Sequence, residues 1–103
     1  MVHYVVVNNT MHYPDGTFSH TSPVGGRFKT LSNARRYATS LDPHKSWGIV
    51  KVSGGDEKYM GMVFRRNFIT KKGYQILWAW AGNDKDSGLY ILNKDGSLAR
   101  RVW

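Results

Sequence analysis

Hydrophobic positions along this chain follow two rhythms. Over most of its length apolar side chains alternate with polar ones or gather in short runs, as strands do; in one stretch they recur every three or four residues. That stretch runs from Arg27 to Asp42, where Leu31, Ala34, Ala38 and Leu41 form a narrow helical stripe. Thr30 or Ser32 can accept from the free amides of the first turn. Asp42-Pro43 closes the run, because a residue before proline is pushed out of the helical region. The spacing predicts a helix over about residues 31–41, with Arg35, Arg36, Thr39 and Ser40 on its solvated side.

The remaining segments read as strands and turns. Val2 to Asn8 is apolar on both faces, as a central strand is. Met11 to Phe18, folded about Pro14-Asp15-Gly16, is a hairpin signal, and Ser19 to Gly26 reads as a loop delivering Phe28 to staple the helix start. Trp47 to Val52 is a strand with Val50 and Val52 on one face and Trp47, Ile49 and Lys51 on the other. Ser53 to Glu57 turns the chain into Lys58 to Arg66, where alternation sets Met60, Met62 and Phe64 against Tyr59, Val63 and Arg65. Asn67 to Gly73 reads as a basic connection. Tyr74 to Ala81 alternates most cleanly, with Tyr74, Ile76, Trp78 and Trp80 on one face. An acidic turn from Gly82 to Gly88 leads to Leu89–Leu92, and Asn93-Lys94-Asp95-Gly96 closes a last hairpin with Ser97 to Val102.

Connections of hairpin length require antiparallel neighbours. The helix is the one crossover long enough to make the strands before and after it parallel. The expected fold is therefore α+β, a single domain over residues 1–103: a twisted, mostly antiparallel sheet of about five to seven strands with one helix packed across a face.

Charge changes the picture more than size does. Fifteen Lys and Arg against seven Asp and Glu give a formal net charge of +8. The acids sit in turn signals (Asp15, Asp42, Asp56, Glu57, Asp84, Asp86, Asp95), where a carboxylate bonds back to local backbone. Basic residues instead lie mostly within the regular elements, including the pairs Arg35-Arg36, Arg65-Arg66 and Arg100-Arg101. Faces of nearly unopposed positive charge suit an anionic partner: nucleic acid, nucleoprotein, or an acidic surface on a protein.

Catalytic signals are few. There is no cysteine, which excludes disulfides, thiolate metal sites and a cysteine nucleophile; no serine-nucleophile elbow or phosphate-binding loop occurs, and Gly25-Gly26 is no dinucleotide fingerprint. The histidines are His3, His12, His20 and His44. His12, Asp15 and His20 surround one hairpin, but at no standard ligand spacing. The expectation is no catalytic residue, metal or cofactor. The apolar run near the N-terminus is too short for a signal sequence, and no stretch is long enough to span a membrane, so a cytoplasmic location is expected.

What stands out is basic residues beside aromatic ones. Arg65, Arg66, Lys71 and Lys72 precede the strand bearing Tyr74, Trp78 and Trp80. Cations that hold phosphates beside aromatic platforms that stack on bases make a single-strand-binding surface. The same aromatic face also suits a core under the helix. Ile76 and Trp78 are assigned to that core, while Tyr74 and Trp80, at the strand ends, are the candidates for exposure and stacking. Arg35 and Arg36 could grip phosphate near the helix start, and Arg100 and Arg101 lead to Trp103, a plug for the sheet edge or an exposed anchor.

Phe28-Lys29-Thr30-Leu31-Ser32-Asn33-Ala34-Arg35-Arg36-Tyr37-Ala38 resembles a Phe-x-Thr-Leu-x-x-Ala-x-x-Tyr-Ala pattern of small phage and mobile-element accessory proteins. Physically the pattern specifies a strand-to-helix docking unit. The resemblance implies a small accessory protein that binds rather than catalyses, in the host-cell cytoplasm if phage-borne. Three readings follow: a nucleic-acid or nucleoprotein binder; an inhibitor that docks on a host nuclease or nucleic-acid-guided defence complex; and a metal-independent ribonuclease built on a histidine and neighbouring arginines.

Overall fold

The computed structural model describes residues 1–8, 10–83 and 87–103; Asp84 and Asp86 of the expected acidic turn lie outside the described residues. The chain order is β1 (Val2–Val7), β2 (Thr10–His12), β3 (Phe18–His20), β4 (Val24–Phe28), α1 (Leu31–Ala38), β5 (Trp47–Ser53), β6 (Asp56–Thr70), β7 (Gly73–Gly82), β8 (Gly88–Leu92) and β9 (Leu98–Arg101). Seven strands form one sheet in the order β4-β1-β5-β6-β7-β8-β9, antiparallel at every pairing, and β2 and β3 form a small second sheet. The fold is α+β, as the patterning predicts.

β1 lies between β4 and β5 and runs antiparallel to both, so β4 and β5 are parallel to each other with the helix crossing between them. Short connections then make β5 to β9 a meander. The helix begins at the Thr30 cap, whose side chain accepts from the Asn33 amide. It ends sooner than the apolar spacing predicts. Thr39 Oγ1 and Ser40 Oγ donate to the Arg36 and Tyr37 carbonyls at 2.7 and 2.6 Å, drawing the last residues into a tight turn. Leu41, past that turn, still packs on the core.

Both faces of the sheet's first half are covered. Under the helix, Val6, Ile49, Val63, Trp47 and Trp80 bury against Ala34 and Ala38; on the other face Val5, Val7 and Val50 pack beneath Phe18 of the β2–β3 hairpin. This explains why Val2–Val7 has no polar side. The hairpin is fastened further by His12, whose ring meets Tyr59 edge-on at 4.6 Å, and by His20, which faces Glu57.

One irregularity reverses a predicted pattern. β6 carries a bulge where Ile49 pairs Gly61 but Val50 pairs Tyr59, leaving Met60 unpaired. Met60 thereby joins the helix-side core, whereas Met62 and Phe64 alternate to the opposite face, and Tyr59 and Val63 part company. Gly61 is required there. Its φ is +147°, and a Cβ would stand 2.6 Å from the Trp80 ring.

Candidate nucleic-acid interface

β5 stays paired with β6 only as far as Val63, and β8 with β7 only as far as Ala79. Beyond those residues β6 and β7 pair with each other alone, from Arg65–Trp78 to Thr70–Gly73, as a two-stranded ribbon closed by Lys71-Lys72. The expected connection over 67–73 is therefore mostly strand. Its turn is held by Thr70 Oγ1, which donates to the Gly73 carbonyl at 2.9 Å and accepts from the Lys72 amide at 3.2 Å. Phe68 and Ile69 are the β-formers that could have revealed this, with Gly73 supplying the positive φ of 106° that the turn needs.

The ribbon gathers four predicted cations and one predicted stacking residue. Lys71 and Lys72 are exposed at its tip, and Arg65 and Arg66 are exposed near its base on opposite faces. Arg65 lies over the Trp78 ring at 5.5 Å and donates to the Ile76 carbonyl at 3.2 Å. Arg66 shares a cavity of about 270 Å³ with Phe68, Leu89, Val102 and Trp103. No acidic residue occurs between Lys58 and Asn83, so nothing on the ribbon itself opposes this charge.

Along β7 the predicted aromatic face changes character. Tyr74 is 80% exposed and Ile76 57%, Trp78 is half-buried, and Trp80 is fully buried. Two expectations are corrected. Trp80 is no stacking platform, because β7 continues to Gly82 and keeps Trp80 paired between β6 and β8, fully buried beneath the helix. Ile76 is not core, because the strand has outrun the helix by that point. Opposite Tyr74 stands Ile69, 73% exposed and missed when Asn67–Gly73 reads as a loop.

Arg35 also departs from expectation. It is buried, not on the solvated face; its Nε donates to the Gly96 carbonyl at 2.7 Å and its guanidinium lies 5.0 Å over the Trp80 ring. The position follows Leu31 by four residues, which puts it at the margin of the helix's inner stripe. Its guanidinium is thereby engaged within the fold. Arg36 is exposed and near Asp95, whose carboxyl is held below its usual pKa chiefly by hydrogen bonds from Ser97, with Arg36 adding to the effect.

Arg100, Arg101 and Trp103 lie at the other edge of the sheet, all exposed. Arg101 sits 6.0 Å over the Tyr90 ring and donates to the Trp103 carbonyl at 3.1 Å. Leu89 holds the terminal residues in place, donating to the Trp103 carbonyl at 2.8 Å and accepting from Val102 at 2.7 Å.

The histidine hairpin does not converge as a metal site. His20 Nδ1 approaches the Thr21 carbonyl at 2.7 Å and Nε2 approaches both Glu57 oxygens at 3.1 Å. Two acceptors on two ring nitrogens favour the imidazolium, so the Thr21 carbonyl first, and Glu57 after it, raise the His20 pKa above its usual value. Among the described residues no three His, Asp or Glu side chains come together to hold a metal. None of the helices described is long and apolar enough to cross a membrane.

No family model, curated protein or solved structure matches this chain.

Proposed function

We propose that this protein binds nucleic acid through the β6–β7 ribbon. One observation carries the reading: Arg65, Arg66, Lys71 and Lys72 occupy a ribbon that no other strand covers and that contains no acid. Such a surface gains affinity by displacing counterions from phosphates. Its partner is approached without a catalytic step, the ribbon having no histidine, carboxylate or hydroxyl cluster of its own.

Fluorescence anisotropy with labelled single-stranded DNA, RNA and duplex DNA, titrated across salt, tests the reading. Saturable binding is expected, with log affinity falling linearly against log salt. The slope should be near that for the four ribbon cations, roughly 0.7–0.9 for each phosphate neutralised. Absence of binding at physiological salt, together with a tight complex between this chain and a host nuclease, would replace this reading with that of a protein inhibitor.

A further inference from the structure

A duplex and a single strand ask different things of a basic ribbon, and this ribbon answers one of them. In a duplex the bases are stacked on each other and offer only their edges in the grooves. In a single strand their flat faces are free to lie on aromatic and apolar side chains. The helix-side face of β7 beyond the core carries a row of such side chains, Tyr74 and Ile76 exposed and Trp78 half-buried, set two residues apart with Ile69 opposite Tyr74. Strand geometry spaces that row at about 6.6–6.8 Å per position, far wider than the 3.4 Å rise of a stacked strand, so each position meets its own unstacked base.

Cations bracket the row. Lys71 and Lys72 stand at the tip, Arg65 lies against Trp78, and Lys94 is at the foot. At that foot a cavity of about 300 Å³ opens between the ribbon, the end of α1 and the β8–β9 turn, lined by Thr39, Ile76, Trp78, Leu92, Asn93 and Lys94. Its apolar walls suit a ring, and its margin offers a hydroxyl, an amide and an ammonium. Asn93 directs its amide nitrogen to Ser97 Oγ at 2.9 Å, which leaves its carbonyl oxygen as an acceptor for a base amino group.

Resting on the nucleic-acid reading above, we propose that the ligand is a single strand, its bases stacked along Tyr74, Ile76 and Trp78 with one base seated in the cavity at the foot of the row. The phosphates are held by Lys71, Lys72, Arg65 and Lys94. DNA and RNA share the base faces and phosphates this site uses.

The test compares three fluorescein-labelled probes at physiological salt: a twelve-nucleotide oligothymidylate, an oligouridylate of equal length, and a mixed-sequence duplex DNA of twelve base pairs. A single strand of either kind should bind about tenfold or more tighter than the duplex. Tyr74→Ala, at an exposed position that the fold does not need, should lower single-strand affinity roughly 5–150-fold, the loss expected for one stacked base. In a Trp103→Phe background the oligonucleotide should still quench tryptophan emission, because Trp78 lies in the site while Trp47 and Trp80 are buried. Failure of all three probes to bind would remove the nucleic-acid reading itself. Duplex affinity equal to or above that of the single strands, or a Tyr74→Ala protein that binds them unchanged, would overturn this inference alone.

Discussion

Removing the guanidinium of Arg35 would strip the Gly96 carbonyl and the face of Trp80 of their partner in one step. A hydrogen bond from a charged donor contributes about 1.5–3 kcal/mol and a desolvated cation–π contact up to about 2 kcal/mol. Arg35→Ala should therefore destabilise the fold by roughly 2–4 kcal/mol, read as a lower midpoint in urea at unchanged slope. Arg36→Ala, one residue along on the exposed side, should leave the midpoint nearly where it is. His20 links the stability of the fold to pH. Its folded pKa is raised above the ordinary value of 6.5, so the proton is bound more tightly in the folded state. The resulting stability is fully present below about pH 6.5 and is lost as pH rises through the folded pKa. Thermal unfolding followed from pH 5 to pH 8 should show a fall in midpoint over that window, and His20→Ala or Glu57→Gln should flatten it.

Among the elements, β6 has the most demanding geometry. Gly61 is pressed against the Trp80 ring and the Ala81 carbonyl at a φ that other residues avoid, so Gly61→Ala displaces the largest buried side chain of the core. Denaturant titration should show a loss of about 2 kcal/mol or more, far beyond an exposed glycine such as Gly26, whose Cβ would meet nothing. The same bulge marks the limit of what the patterning discloses. Alternation locates β5 and its two faces because regular pairing preserves parity, and the two Asp-Gly turns are legible because Asp15 and Asp95 each bond the Thr or Ser two residues on. A bulge shifts parity without any local sign stronger than a glycine, so alternation alone puts Met60 and Met62 on one face when the sheet separates them. The tryptophans of β7 are ambiguous for another reason. Their exposure depends on where β8 and the helix stop, which is a property of other segments. Arg35 escapes the patterning because a charged residue at the edge of an apolar stripe looks solvated until a carbonyl from a distant turn is brought to it.

Taken as a whole, the molecule carries its charge unevenly, and position separates a binding surface from mere net charge. Lys71→Gln with Lys72→Gln lowers the formal net charge by as much as Lys29→Gln with Lys45→Gln, all four lysines being exposed. The ribbon pair should cut nucleic-acid affinity and reduce the salt slope by roughly 1.4–1.8, at 0.7–0.9 for each of two phosphates no longer neutralised, whereas the distant pair should change both little. Anisotropy titrations of the two double variants at three salt concentrations make the comparison; equal losses would mean that the field of the whole protein, and no particular face, draws the ligand. The placement of β1 between β4 and β5 has a consequence in time. Synthesis runs from N- to C-terminus, so the valine-rich β1 exists before either neighbour, and its long partner β5 is complete only at Ser53. Until then Val5, Val6 and Val7 lack the strand they pair with along their whole length, while β5 to β9 each find their neighbour next in sequence. Of the strands in this sheet, the one made first is the one whose place is filled late, and it spends the interval with one edge open, awaiting its slot between two strands.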